Sequence, residues 1–565
     1  MNSSNSRKRR RRIPLDTDVA LSPVDDEDVP AQADVFPVDA SFVPATGNAT
    51  ALPRDPVWTH CDIELHNGPE TYEEIAAGCW AEHMYDQAGT LDPSCIERLL
   101  ANMKEGVVLT SSYSGLGTDI IAAKIIERMV TRLGLATLTE CIVSYAVCDN
   151  SELCQDILLR LQHTQHPGFQ TVPSTGHVFG DITQLADVRD VDYLKSCLVY
   201  SRSRVDRIHP ESSPERTEFI RLESVKFMRR ARQVTAKWRF SRSDKAWCVR
   251  HKKYCKRWPK EGQLHVEIAG TTCVGLSRMG NCWMWLDDAT IPCLVWAAAI
   301  RSIQPTLVVH ECVPQFKPEV LAELLGPAFS ISSVVFSPVD LGIPTERIRR
   351  YSIADCSKAS IVHRAYDVEQ FSRFAFRRLM VDGNIYFITE NTDKVLQQEA
   401  ERRSMDATTV KHWRDILTAS QRQRLDDHEV VKVGCITTSD RLCWMVQLTQ
   451  NADWCPGRTS VVPTLLRKSL VWRIVWCSEP RSGKTHWHTE LDRPLLPLEH
   501  MAAEGIPVLS LMKAVAEEGE INPIDQCLQG QQWSDADLRS LAGNMFHVGA
   551  VGSVLLFRLM TIASI

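Results

Sequence analysis

The chain has 565 residues, 44% hydrophobic and 24% charged, with 64 Lys and Arg against 70 Asp and Glu and a formal charge of −6. That composition can bury sizeable cores and excludes wholesale disorder, a collagen-like rod and a multi-span membrane protein. No stretch reaches the ~18 uninterrupted apolar residues that cross a bilayer. The greasiest segment, 548–565, is broken by Arg558 and is expected as a packed helix. The 19 cysteines are too dilute for a disulfide scaffold and, without a secretory signal, are expected as reduced thiols of cytosol or nucleus.

Residues 7–12 (RKRRRR) form a cationic run, and residues 13–53 carry acidic side chains but no Lys or Arg. Such a stretch cannot offset chain entropy by burial, so residues 1–55 are expected to be a disordered tail. Its basic run suits a nuclear import signal or a phosphate-binding arm. Residues 57–105 look like a short helical lead-in.

From 106 to 353 short β-branched runs alternate with longer amphipathic ones. Strands are predicted at 106–109, 142–147, 177–179, 264–268, 306–309, 332–336 and 350–353, and helices at 119–129, 151–161 and 294–303. Alternation of this kind predicts an α/β fold with a mostly parallel sheet covered by helices on both faces.

Between the third and fourth strands lies a basic insertion, 195–262, with twenty Lys and Arg against seven Asp and Glu. Trp238, Phe240, Trp247, Tyr254 and Trp258 are interleaved with its cations. A polyanion such as nucleic acid is the natural partner, with Lys252, Lys253, Lys256 and Arg257 as candidate contacts. Cys248, His251 and Cys255 have ligand-like spacing, but no close fourth ligand is evident, so they are expected as free thiols with no metal.

In an open α/β sheet ligands bind beyond the carboxyl ends of the strands. Ser114, Gly115, Leu116 and Gly117 follow the first strand, where glycine lets backbone approach a ligand. Asp149 follows the second strand and suits ribose hydroxyls, while Asp181, with Ile182, follows the third and suits an adenine amino group. No GxxxxGK[ST] loop is present, which favours an adenosine cofactor without a phosphate tail. After the fourth strand Cys273 lies in a small-residue loop ahead of Ser277, a setting that suits a nucleophilic thiolate. Glu311 ends the fifth strand, where desolvation suits a general acid. Arg347 and Arg349 occupy alternate positions at a strand entry, as a clamp for a carbonyl or phosphate requires.

That ordered set resembles the DNA cytosine 5-methyltransferases over most of 106–555. The family's Phe-x-Gly-x-Gly-Gly loop is similar to residues 113–118 (YSGLGT), its adenine-contacting Asp to Asp181, and its Pro-Cys-Gln loop to Thr272, Cys273 and Val274. Its Glu-Asn-Val is similar to Glu311, Cys312 and Val313, and its Gln-x-Arg-x-Arg to residues 345–349 (TERIR). Further on, Arg493 with Glu499 and the stretch 505–507 (GIP) are similar to the family's Arg-x-Leu-Thr-x-x-Glu…Gln-Gly-Phe-Pro stretch, and Asn544 with Met545 resembles the last Gly-Asn-x motif, which returns to cap the cofactor. The departures are Thr272 for proline, Val274 for glutamine, Thr118 for the last glycine, and Val147 for the ribose-binding Glu, with Asp149 as its expected substitute.

The resemblance implies a Rossmann-like methyltransferase core at 56–353, a target-recognition region at 354–492 and a return to the core at 493–565. It implies S-adenosylmethionine as cofactor and duplex DNA with a flipped cytosine as partner, in the nucleus. In the implied reaction Cys273 attacks carbon 6 of cytosine, Glu311 serves ring N3, and Arg347 and Arg349 hold the base and a phosphate. The alternatives are a non-catalytic DNA- or chromatin-binding scaffold and an RNA cytosine methyltransferase.

Overall fold

The computed structural model describes residues 65–134, 141–161, 176–209, 213–271, 274–277, 282–363, 368–389, 392–433, 442–450, 452, 461–478, 485–487, 492–508 and 533–565. The cationic run at 7–12, Thr272 and Cys273 lie outside the described residues.

Nine strands build the main sheet. In chain order they are β1 (Val107–Ser112), β2 (Ile142–Cys148), β3 (His177–Phe179), β4 (Lys245–Cys248), β5 (Lys253–Lys256), β6 (Leu264–Gly270), β7 (Leu307–Cys312), β8 (Phe329–Phe336) and β9 (Arg349–Cys356). Across the sheet they run β5-β4-β3-β2-β1-β6-β7-β9-β8. The strands from β3 to β7 are parallel. The β4–β5 hairpin and the inserted β9 are antiparallel to their neighbours. The sheet is therefore parallel at its centre and antiparallel at both edges, which alternation alone did not predict. A helical crossover, Pro318–Leu325, carries the chain from β7 to β8, and β9 then comes back between them.

Every residue of β1 and β7 is buried, as a central strand covered on both faces requires. β1 runs three residues beyond its predicted end because Thr110, Ser111 and Ser112 pair on both sides, with β2 and β6, despite their polar side chains. One helical group is Thr118–Arg132, Cys79–Leu91, Ser94–Glu105 and Val548–Thr561, packed on one another. The second includes Thr290–Ile303, which packs on Pro318–Leu325, Val188–Ile208 and Arg216–Thr235.

The apolar stretch near the C-terminus is a core helix, with every residue of Val548–Thr561 buried. Gly552 permits this: a Cβ there would sit 2.3 Å from the Trp80 ring. Arg558, fully buried, is neutralised by Asp355 at 2.6 Å, so the charge that interrupts the run pins the helix to β9.

A second core is formed mostly by the region expected for target recognition, 354–492, and extends past it to Leu496. Trp413, Trp444, Trp472 and Trp476 pack there with Leu396, Leu425 and Ile474. It is built on the antiparallel strands Leu442–Gln447, Val471–Ser478, Thr485–Trp487 and Arg493–Pro494. Phe371 and Phe374, by contrast, belong to the main core.

Candidate active site

Strand order reverses at β1, with β2 on one side and β6 on the other, which opens a crevice at their carboxyl ends. The loop leaving β1 enters it through a sharp turn: Tyr113, Gly115 and Gly117 have φ of 59°, 54° and 80°. Glycine is favoured at the last two because left-handed backbone strains other residues. Tyr113 adopts it at some cost, with its ring largely buried and burial pushing its hydroxyl upward. Gly117 also meets the helix Glu152–Leu161 closely, since a Cβ there would lie 3.0 Å from Leu158 and Leu161.

Ser114 ties this loop to the end of β2. Its Oγ accepts from Cys148 N at 3.0 Å, and its own N donates to Cys148 O at 3.0 Å. Asp149 accepts from Gly115 N and Ser151 N, each at 2.9 Å. Burial raises the Asp149 carboxyl, and those two N–H donors oppose the shift. Asp149 thus fixes the glycine loop first, and only its remaining lone pairs are open to another donor. Val147, at the place of the family's ribose-binding Glu, is fully buried. Asp181 begins the turn Ile182–Leu185, accepts from Thr183 N at 2.9 Å and stays exposed at the end of β3. The side chains of Leu116 and Ile182 are buried, at 1% and 6% exposed, so Leu116 offers a ligand its backbone.

The C-terminal return closes on this loop. A Cβ built on Gly115 would lie 3.5 Å from Asn544 O and 3.7 Å from Met545 Cα. Phe546, next in sequence, rests on β6: a Cβ on Gly270 would lie 2.5 Å from its ring. Met545 O accepts from the Arg347 guanidinium. The segment 544–546 thereby joins the glycine loop, β6 and Arg347.

Around Cys273 the flanks are held. Thr271 Oγ1 lies 2.7 Å from His310 Nε2, and burial pushes His310 down to about 3. Gly275 O accepts from Met284 N at 2.8 Å, and a Cβ on Gly275 would meet Met284 O at 2.2 Å, so only glycine fits. Ser277, half-buried, accepts at its carbonyl from Cys282 Sγ at 3.6 Å. Glu311 is paired in register with Gly270, three residues ahead of Cys273, and with Tyr351 on the other side. Its carboxylate is buried and lies 2.9 Å from Arg349 Nε.

The arginines divide their work. Arg349 meets Glu311, whereas Arg347, 5% exposed, pairs with Glu504 at 3.3 Å and holds Met545. Both guanidiniums of the expected clamp therefore bind protein groups. Glu504 is fully buried, and desolvation pushes it up to about 7 against the pull of Arg347. Neighbouring His547 is pushed down to about 3 by burial, then by Arg347. Sequence reasoning passed over Glu504, although a lone carboxylate within the apolar run 501–508 signals a buried partner. Nearby, Arg493 and Glu499 form a buried bidentate pair at 2.7 and 2.8 Å.

On the basic insertion the structure separates the candidates. Lys252, Lys253 and Lys256 are exposed beside Trp247 and Tyr254. Arg257 is not: at 1% exposure it bonds Ser112 Oγ at 2.9 Å and stacks on Trp258 at 4.6 Å. It is a core residue of the β1 end, its guanidinium turned inward and not exposed as the expected phosphate contact requires; Trp238 and Trp258 are buried as well. Replacing Lys252, Lys253 and Lys256 by Ala is expected to flatten the log-affinity against log-salt slope for duplex DNA by up to about 0.9 for each phosphate no longer neutralised. Fluorescence anisotropy across a salt series measures it, and an unchanged slope removes this face from the interface.

The strand order defines a Rossmann-like α/β protein, with the switch point at β1. No family profile matches the sequence, and no curated protein matches it. Among solved structures the chain is similar to a Dnmt2 methyltransferase of S. pombe, with 10% identity and TM-score 0.38 over 80% of this chain and 96% of that one. It is also similar to a methyltransferase of Entamoeba histolytica, at 10% identity and TM-score 0.35 over 80% and 98% of the chains. A putative prophage-encoded DNA modification methyltransferase of E. coli matches at 11% identity and TM-score 0.34, over 80% and 98%.

Proposed function

We propose that this chain methylates carbon 5 of cytosine in duplex DNA, using S-adenosylmethionine. The observation that supports the reading is the segment 544–546, which meets the glycine loop at Gly115, β6 at Gly270 and the Arg347 guanidinium, while Arg349 meets Glu311 on the neighbouring strand.

The residues fit the cofactor. Gly115 and Gly117 give a backbone cradle without phosphate-binding chemistry, Asp149 keeps lone pairs for hydroxyls, and the exposed Asp181 carboxylate can accept from an exocyclic amine. Asn544 and Met545 would close over it. When bound, S-adenosylmethionine supplies a methyl electrophile.

Carbon 5 of cytosine is a poor nucleophile until carbon 6 is attacked. In the proposed reaction the Cys273 thiolate forms a bond to carbon 6 while Glu311 gives a proton or hydrogen bond to N3, leaving an enamine at carbon 5. Carbon 5 would take the methyl group as its bond to the sulfonium sulfur breaks, leaving the thioether S-adenosylhomocysteine. Carbon 5 then loses its proton to a base, the bond from Cys273 to carbon 6 breaks to restore the thiolate, and N3 returns its proton or hydrogen bond to Glu311. Arg349 holds Glu311 in place, and Arg347 positions the Met545 segment. Carbon 6 is shielded in a stacked duplex, so the base is flipped out. The basic run at 7–12 would direct the chain to the nucleus.

The test is incubation with methyl-labelled S-adenosylmethionine and either duplex DNA or RNA. The expected result is label in DNA, recovered as 5-methylcytosine. Label in RNA alone overturns the substrate, and label in neither leaves a scaffold.

A further inference from the structure

The sequence shows three residues with ligand-like spacing, and the fold brings a fourth. His177 of β3 lies beside Cys248 of β4, His251 of the hairpin turn and Cys255 of β5, with one potential ligand atom from each within 4.8 Å of all the others. His177 is 71 positions upstream of Cys248, so only the sheet reveals it. His251 Nδ1 is 3.4 Å from Cys248 Sγ, 3.5 Å from Cys255 Sγ and 3.1 Å from His177 Nδ1. A tetrahedron with metal–sulfur bonds of about 2.3 Å and metal–nitrogen bonds of about 2.0–2.1 Å has S···N edges of roughly 3.5 Å and an N···N edge of roughly 3.3 Å. The observed distances match those edges. Both thiols are buried, at 0% and 7% exposed, and the exposed His251 closes the group from the solvent side.

We propose that His177, Cys248, His251 and Cys255 form a structural zinc site that fastens the β4–β5 hairpin to β3. Two thiolates and two neutral imidazoles balance the charge of a divalent ion, and four protein ligands leave no open position, as suits a structural site. The hairpin needs such a fastening. Among the described residues its four-residue strands share one registered backbone pair with the rest of the sheet, Phe179 with Cys248, and the bond from Val249 N to Val178 O at 2.7 Å, beside side-chain bonds from Arg250 to Gly176 O and from Arg257 to Ser112. A two-stranded ribbon this short is marginal in water. The metal holds Lys252, Lys253 and Lys256 on a fixed edge, and fixes β3 four residues ahead of Asp181. The site stands whether or not the chain transfers methyl groups.

Elemental analysis of the full chain, purified under reducing conditions and freed of loose metal, tests it. One zinc per chain is expected. Cobalt exchange should give the visible bands of a tetrahedral ion with thiolate charge transfer. Cys255→Ser and His177→Ala should each lose the metal, whereas Cys282→Ser, outside the cluster, should keep it. If those variants fail to fold, X-ray absorption of the native zinc should show two sulfur and two nitrogen neighbours. A metal-free native chain, a Cys248–Cys255 disulfide found by mass spectrometry, or zinc retained in both ligand variants overturns the site.

Discussion

Arg347→Ala destabilises the protein strongly above neutral pH and much less in mild acid. Arg347 and Glu504 are both buried, so removing the guanidinium leaves a carboxylate without its counter-charge, at a cost of about 3–5 kcal/mol. The carboxyl can escape by keeping its proton. Its folded value is already raised to about 7 from the ordinary 4.5, by burial first, and Arg347 opposes that rise. A raised folded value contributes stability that is complete below the unfolded value and is lost as pH climbs through the folded one. Without Arg347 the folded value moves further up, so the penalty grows above pH 7 and fades toward about pH 5. Urea unfolding of native and variant protein at both pH values measures the difference. Adding Glu504→Gln should remove most of the pH dependence, and an equal destabilisation at both pH values contradicts the pairing. Because Arg347 also holds Met545 O, cofactor affinity should fall in the same variant.

The functional ends of the strands were legible because they depend on local chemistry. Glycines in left-handed turns, an Asp directly after a strand and an apolar helix with one charge leave marks that periodicity and turn preference expose. Gly115, Gly117, Asp149 and Asp181 all follow the ends of β1, β2 and β3 as the sequence predicts. Packing between distant segments leaves weaker marks. Nothing near Arg257 says that β1 will cover it, and its cationic neighbours suggest the opposite. His177 joins a cysteine pair only because β4 adds to the sheet beside β3. The insertion of β9 between β7 and β8 is likewise a matter of strand order, which hydrophobic pattern does not encode. Arg347 and Arg349 stand out in the sequence as a pair, but their separate partners, Glu504 and Glu311, follow from tertiary packing.

The second large effect is all-or-none and bears on the chemistry itself. Duplex DNA carrying 5-fluorocytosine, incubated with the protein and S-adenosylmethionine, should form a stable covalent adduct. Fluorine replaces the proton that must leave carbon 5, so elimination stalls and the sulfur stays bound to carbon 6. Peptide mass spectrometry should place the adduct on Cys273, and omission of S-adenosylmethionine should prevent its accumulation. Cys273→Ala should abolish it, while Cys282→Ala should not. Glu311→Gln should slow its formation by about 10²–10⁴-fold, the range for removal of a general acid, since an amide cannot give N3 a proton in the same way. Thr272 stands where the DNA cytosine 5-methyltransferases that the sequence resembles carry proline, so the native reaction is expected to be slow and the incubation long. An adduct on Cys273 that depends on the cofactor is the result predicted. No adduct, with cofactor and DNA both demonstrably bound, would contradict the methyl-transfer reading and leave a DNA-binding scaffold.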